Sequence, residues 1–159
     1  MKKTFLALLL LLGFFVTDVF AVAGTVTLAQ DQLFNANGYT TMRVVSFVCV
    51  GDSTDGTIPD TAINADNLVL GNLAGWFLYR MVVENDAGDT GVTDDSDVYI
   101  KDAGGSDLLN GQGVDQLDDD TRNYIRLCRH DPVSGTLTLD VDNQDVHSGE
   151  YTITLILAK

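Results

Sequence analysis

The sequence is short of basic residues and of glutamate. It has 9 Lys and Arg against 23 Asp and Glu, a net charge of −14, and only two of the acids, Glu84 and Glu150, are glutamates. An excess of negative charge repels phosphate backbones and anionic lipid headgroups. We therefore exclude nucleic acid as a partner and expect cations, basic surfaces or other copies of the chain. Solubility alone is the simpler interpretation of the same excess.

The motifs of common enzymes are absent. The chain has no G-x-S-x-G, no H-E-x-x-H, no P-loop and no paired C-x-x-C. Nothing in the sequence indicates that its two histidines, His130 and His147, lie close together in the fold. The alternative is a glycoside hydrolase whose two catalytic carboxylates are among the many aspartates. The sequence predicts a protein that is not an enzyme and has no resident cofactor, Ca²⁺ excepted.

Long apolar runs are absent apart from one of 12 residues, Phe5 to Val16. This run is too short for a membrane-spanning helix, which needs about 20 residues. Lys2 and Lys3 precede it, and small residues follow it. This three-part pattern is typical of a secretory signal peptide.

The predicted signal peptide covers residues 1–21, with cleavage after Ala21 or Ala23. The mature chain, 24–159, has the size of one domain and carries 7 basic and 22 acidic residues, a net charge of −15. We expect it to be secreted, either periplasmic or extracellular, with no membrane insertion after cleavage.

Cysteine is scarce as well, with only Cys49 and Cys128 present. In an oxidising compartment a disulfide between them is the default expectation, and a catalytic cysteine is the alternative. Alternation places Cys49 on an apolar strand face with Phe47. Cys128 falls on the same strand face as Tyr124 and Arg126, which weakens the case for a disulfide in the core.

Alternation of apolar and polar residues with a period of two runs through the mature chain. Together with enrichment in Val, Ile, Thr and aromatics it predicts strands. No segment of 12 or more residues has a helical stripe. The predicted strands centre on Thr25–Leu28, Met42–Val50, Trp76–Glu84, Val98–Lys101, Tyr124–Cys128, Leu137–Asp142 and Tyr151–Leu157. About seven strands with turn clusters between them favour an all-β fold, a single β-sandwich of immunoglobulin-like size. A closed barrel is the alternative.

Clustered aspartates are candidate Ca²⁺ ligands, because this ion prefers six to eight hard oxygens. The candidate sets are Asp94, Asp95 and Asp97, or Asp140, Asp142 and Asp145. Neither set has EF-hand spacing. Trp76 and Tyr79 are candidate stacking residues for a glycan.

Four short sequence segments follow one another in the second half of the chain. They are Gly75–Val82, Asp97–Asp102, Gly105–Asp115 and Ser134–Val141, followed by a closing apolar strand. In this order, over about residues 75–157, the chain resembles small, mostly uncharacterised phage virion-associated structural proteins. The resemblance implies a β-sandwich without catalysis or cofactor, and it assigns no functional residue.

The chain differs from that family in its signal peptide and its cysteine pair. We therefore predict a non-enzymatic exported structural or attachment module, an extracellular or virion-like assembly subunit. Its partners would be itself or other surface and assembly proteins, and Thr25–Leu33 is a candidate donated strand. The alternative is a monomeric extracellular binding module for Ca²⁺ or a glycan that uses the Asp-rich loops.

Overall fold

The computed structural model describes residues 22–36, 40–85, 96–117, 122–127 and 132–159. This part of the chain forms eight β-strands and no helix, so the predicted all-β sandwich is confirmed. The strands are β1 Thr25–Ala36, β2 Thr40–Val50, β3 Thr61–Ile63, β4 Phe77–Asn85, β5 Asp97–Lys101, β6 Arg122–Arg126, β7 Leu137–Asp142 and β8 Glu150–Ala158. The short β3 is the one strand that the alternation did not predict. No helix long and apolar enough to cross a membrane occurs in the described residues.

The strands form two antiparallel sheets. The large sheet has the order β1-β2-β8-β4-β6, and the small sheet has the order β3-β7-β5. The last strand of the chain, β8, lies at the centre of the large sheet between β2 and β4. The predicted signal peptide, residues 1–21, lies outside the described residues.

The core lies between the two sheets and follows directly from the alternation. In β8, Tyr151, Ile153, Leu155 and Leu157 are fully buried, whereas the residues between them point to the outer face. Successive side chains of a strand point to opposite faces, and the register shifts in β1 and β4 interrupt this alternation. Burying an aliphatic side chain of this size stabilises the fold by about 1.5–3 kcal/mol.

A β-bulge in β4 changes which side chains face outward. The register with β8 shifts between Leu78 and Arg80, so Leu78 lies in the core and Arg80 lies opposite Ile156 on the outer face. The extra residue, Tyr79, is 40% exposed. Bulges of this kind bend a strand and redirect a side chain.

The glycine- and aspartate-rich segment after β5 is a run of turns that closes the edge of β5. The side chain of Asp107 accepts hydrogen bonds from the backbone N–H groups of Leu109 and Gly111. The N–H of Val98 donates to the Gly113 carbonyl at 2.9 Å. A Cβ at Gly113 would lie 1.8 Å from the Val98 oxygen, so only glycine allows this approach.

Candidate functional site: the outer face of the large sheet

The outer face of the large sheet is apolar for a solvent-facing surface. No strand of the described residues packs on it. Its apolar members, all at outward positions of the ladders, are Phe34, Met42, Val44, Val48, Val50, Phe77, Val82, Tyr124 and Ile156. Phe34 is 48% exposed and Tyr124 is 55% exposed. We call this surface, from Phe34 on β1 to Tyr124 on β6, the outer face.

Hydroxyl groups cross the middle of the outer face. Ser46 on β2 lies opposite Thr154 on β8, and their hydroxyl oxygens are 2.8 Å apart. Thr152 and Thr27 extend this polar strip in the neighbouring row. The hydroxyls of Ser46 and Thr154 therefore satisfy each other, and half-buried Val and Ile side chains lie around them.

Two arginines lie directly opposite each other at the β4–β6 end of the outer face. Arg80 pairs in register with Arg126, and neither forms an ion pair with a carboxylate among the described residues. The Nε of Arg80 is buried and has no hydrogen-bond partner there. Like charges directly across a ladder destabilise a sheet. The arrangement therefore carries a local electrostatic cost.

Aromatic rings offset part of that cost. The Arg80 guanidinium lies 6.0 Å from the Tyr79 ring centroid and 5.8 Å from that of Tyr124. Cation–π contacts at this distance are attractive by about 0.5–1 kcal/mol at exposed sites. We call Tyr79, Arg80, Tyr124 and Arg126 the basic–aromatic cluster.

The opposite side of the sandwich, the outer face of the small sheet, is acidic. Asp97 and Asp142 are register partners, and Asp140 lies on the same side of β7. Lys101 forms an ion pair with Asp140. Asp60 is hydrogen-bonded to Asp140, and its pKa is raised, first by partial burial and then by the Asp140 carboxyl. We call Asp60, Asp97, Asp140 and Asp142 the acidic face.

Asp97 is held in place by its neighbours. One of its oxygens accepts the Asp115 N–H at 2.9 Å, and the other accepts the Asn143 side-chain amide at 2.8 Å. Asp97 is therefore engaged inside the fold. Asp142 and Asp60 are the exposed acids of the acidic face.

The predicted Ca²⁺ ligands do not form a metal site in the described part of the chain. No group of three or more His, Cys, Asp or Glu side chains suited to a metal ion occurs there, so Asp140, Asp142 and Asp145 do not converge. Asp140 and Asp142 lie on the same side of β7; Asp140 is buried and Asp142 is exposed. Asp94 and Asp95 lie outside the described residues.

Cys49 is a free thiol in the core, and no disulfide is seen among the described residues. Cys128 lies outside them, while Leu127 lies three strands away from Cys49 and hydrogen-bonds to Tyr79. A disulfide needs Cα atoms within about 7 Å. Burial raises the pKa of the Cys49 thiol to about 12, although the Tyr151 hydroxyl acts in the opposite direction. A thiol held in this form is a poor nucleophile.

The two predicted stacking residues have different surroundings. Trp76 is half-buried against the core, with the Arg43 guanidinium and the Lys159 ammonium each 5.9 Å from its ring centroid. Tyr79 belongs to the basic–aromatic cluster. Sequence reasoning did not identify Tyr124, Arg126 or Arg80 as site residues. The alternation did place Tyr124 and Arg126 on one strand face, but nothing local showed that Arg80 lies across from them.

The edge strand β1 is the second exposed feature of the large sheet. It pairs along its length with β2 and with no other strand of the described residues. Leu33 is 52% exposed near its end. An edge of 12 residues presents a row of N–H and C=O groups to a partner strand. The predicted donated strand, Thr25–Leu33, is thus part of its own sheet here.

A groove of about 390 Å³ lies beside the core between the Asp102–Asn110 turns and Leu127. Its acidic lining residues are Asp102 and Asp107. Both carboxylates accept backbone N–H groups of their own turns. The groove therefore combines apolar side chains and engaged carboxylates with the polar residues Ser106, Asn110 and Ser134.

Comparisons with known proteins add no relative. No protein-family model, no curated protein and no solved structure matches this chain.

Proposed function

We propose that the chain is a non-enzymatic exported structural or attachment module that works through its sheet surfaces. Its partners are further copies of itself or other surface and assembly proteins. The observation that carries the proposal is the outer face, on which no strand of the described residues packs, with its aliphatic rows, its exposed aromatic rings and its two arginines in register.

The outer face has the composition of an interaction surface. Apolar area gains about 25 cal/mol per Å² when it leaves water, and exposed apolar patches mark contact sites. Tyr and Arg, both present at its β4–β6 end, are enriched where proteins meet. The resemblance of residues 75–157 to phage structural proteins supports the same role.

The open edge of β1 supports this proposal independently. Edge strands are usually blunted by charge, proline or shortness, because an open edge recruits other strands. β1 has 12 residues, no proline and a single acidic residue, Asp31, which points inward. This edge therefore keeps the features that permit β-augmentation.

The test is the assembly state of the exported protein. We would produce the full chain in a host that exports it, purify the processed form, and measure its mass by size-exclusion chromatography with light scattering. Negative-stain imaging would follow. A defined oligomer, rings or filaments would support the proposal, and a monomer at every concentration that binds no surface protein would overturn it.

A second candidate function is a monomeric glycan- or Ca²⁺-binding module. The rings of Tyr79 and Tyr124 favour its glycan form, since both are exposed and lie beside an arginine. A glycan array with the wild type and a Tyr79→Ala/Tyr124→Ala variant tests it. Binding by a monomeric wild type that the variant loses would favour this candidate. The Ca²⁺-binding form is tested by measuring the melting temperature at increasing Ca²⁺ concentrations.

A further inference from the structure

We propose that the basic–aromatic cluster of one copy binds the acidic face of a second copy, so that copies stack head to tail. This inference rests on the proposed structural role and names the two surfaces that would carry it. Both surfaces belong to the same sandwich and lie on its opposite sides.

The arginine pair is the first observation. The predicted mature chain has 22 acidic and 7 basic residues, yet Arg80 and Arg126 face each other without a carboxylate among the described residues. In a chain so rich in acid, an internal partner would be easy to supply. Local conflicts of this kind are expected at functional sites, where an external group resolves them. Here that group is an anion.

The distribution of aspartate is the second observation. In the strands that the structure describes, no aspartate lies at an outward position of the large sheet; the charged residues at these positions are Arg80, Arg122, Arg126, Glu84 and Glu150. The small sheet's outer side carries the four aspartates of the acidic face and one basic residue, Lys101. The formal charges are +1 on one side and −3 on the other, within a mature chain of −15. The two outer surfaces of the sandwich are therefore complementary.

The chemistry of the two surfaces also matches. Arginine binds carboxylates through two parallel N–H···O bonds, and Arg126, the register partner of Arg80, is exposed. Asp60 and Asp142 are exposed; Asp60 is hydrogen-bonded to Asp140, and Asp142 is the register partner of Asp97, so carboxylates crowd there. Contact between the two surfaces brings arginine cations to the crowded carboxylates and carboxylate anions to the paired arginines, so both repulsions are reduced.

The geometry determines the kind of assembly. A contact between two different surfaces is heterologous, so each copy retains one free basic–aromatic cluster and one free acidic face. Such contacts give rings when the rotation closes and open filaments when it does not. Repulsion between acidic copies is screened beyond about 8 Å at physiological ionic strength, whereas direct contacts are screened less.

The experiment uses two charge reversals at exposed positions, one on each surface. Arg126→Glu disables the basic–aromatic cluster, and Asp142→Lys disables the acidic face. The matched controls are Lys159→Glu, on the exposed C-terminal residue, and Asp66→Lys, in the exposed turn after β3. Each chain is made in full length, exported and studied by light scattering and analytical ultracentrifugation. Circular dichroism checks the fold.

We expect each reversal alone to weaken self-association by about tenfold or more, because a like-charge contact replaces an attractive one. The controls should assemble as the wild type does. An equimolar mixture of Arg126→Glu and Asp142→Lys should regain association, beginning with a 1:1 dimer, and it can grow further because the two reversed surfaces also carry opposite charges. In that dimer the intact cluster of one variant meets the intact acidic face of the other.

Assembly of the wild type that both reversals leave unchanged would overturn this inference and leave the proposed function standing. A mixture that forms no dimer, although each variant is folded, would overturn it too. A wild type that remains monomeric would overturn the proposed function with it. Loss of binding to an acidic polysaccharide in Arg126→Glu, with assembly intact, would assign the cluster to a glycan instead.

Discussion

Arg43 and Asp31 form an ion pair whose side chains are 2% and 0% exposed. Nε and Nη2 of Arg43 each donate to one Asp31 oxygen at 2.8 Å. The guanidinium also donates to the carbonyls of Gly71 and Asn72 at 2.7 and 3.1 Å, and Asp31 accepts the Leu70 N–H at 2.8 Å. The pair therefore fixes the edge strand β1 to β2 and to the loop beside them. Donation of Thr25–Leu33 to another copy would require extraction of this buried carboxylate.

Removing the charge of Asp31 should destabilise the domain strongly. In Asp31→Asn the Arg43 guanidinium stays buried without its counter-charge, and breaking a buried pair in this way costs about 3–5 kcal/mol. Urea unfolding at pH 7 followed by tryptophan fluorescence measures it, since Trp76 is the single tryptophan. Asp66→Asn, an exposed aspartate, is the control and should change little. A loss below about 1 kcal/mol would contradict the assigned role of the pair.

Low pH should reduce the folding stability of the wild type by protonating the same carboxylate, that of Asp31. Burial alone would raise the pKa of Asp31, but the hydrogen bonds and charge of Arg43 and the Leu70 N–H outweigh it and lower the pKa below its usual value. The stabilisation is therefore present above the unfolded pKa of about 3.9 and is lost as pH falls through the lower folded pKa. Urea midpoints from pH 7 to pH 2 follow this loss. Asp31→Asn should show a flatter profile below pH 4, and a profile parallel to the wild type would refute the assignment.

Reversing Arg126 should stabilise the isolated domain while it weakens assembly. Arg126→Glu replaces a like-charge pair with an ion pair to Arg80, and cross-strand pairs of opposite charge contribute about 0.2–1 kcal/mol. Thermal unfolding at concentrations below the onset of assembly measures the gain. Arg126→Gln, which removes the charge without reversing it, should give an intermediate melting temperature. A variant less stable than the wild type would show that another group already balances Arg126.

The Cys49 thiol should be unreactive in the native protein and react once the chain unfolds. Full burial and a pKa raised to about 12, against the usual 9.0, leave almost no accessible thiolate at pH 8. Ellman's reagent with the Cys128→Ser variant, in buffer and then in denaturant without reductant, measures both states. The thiols of wild type denatured without reductant should react with Ellman's reagent as well. If it releases none while its mass is 2 Da lower (the loss of two hydrogens), the cysteines are joined, and the free thiol seen here does not describe the exported form.

Adding a methyl group at Gly113 should damage the edge of β5. The new Cβ would lie 1.8 Å from the Val98 carbonyl oxygen, so the loop must move and its hydrogen bond to Val98 is lost. Overpacking of this kind costs about 1–3 kcal/mol. Gly135→Ala, where a Cβ meets no atom within 4 Å, is the matched control. Equal stability of the two variants in urea would show that the loop is not held against β5.

Much of the fold was predictable because alternation is a local property. The pattern around Tyr151–Leu157 predicted both a strand and its buried side, and all four apolar positions of the pattern are buried. Alternation also placed Ile125 and Leu127 opposite Tyr124 and Arg126, as the structure shows. The alternation itself did not extend β1 beyond Leu28, since a bulge and the inward Asp31 break it there; the candidate donated strand reached Leu33, and β1 ends at Ala36.

The sequence by itself determined the strands, their apolar sides and the acidic character of the surface, because each depends on neighbouring residues or on composition. Only the tertiary structure decided that β8 lies between β2 and β4, that the bulge at Tyr79 turns Arg80 outward, and that Arg80 then faces Arg126. The tertiary structure also determined that Asp31 and Arg43 form a buried ion pair and that Cys49 is a free thiol in the core. Strand order and register depend on contacts between residues far apart in the chain, and a shift of one residue moves every side chain to the other face.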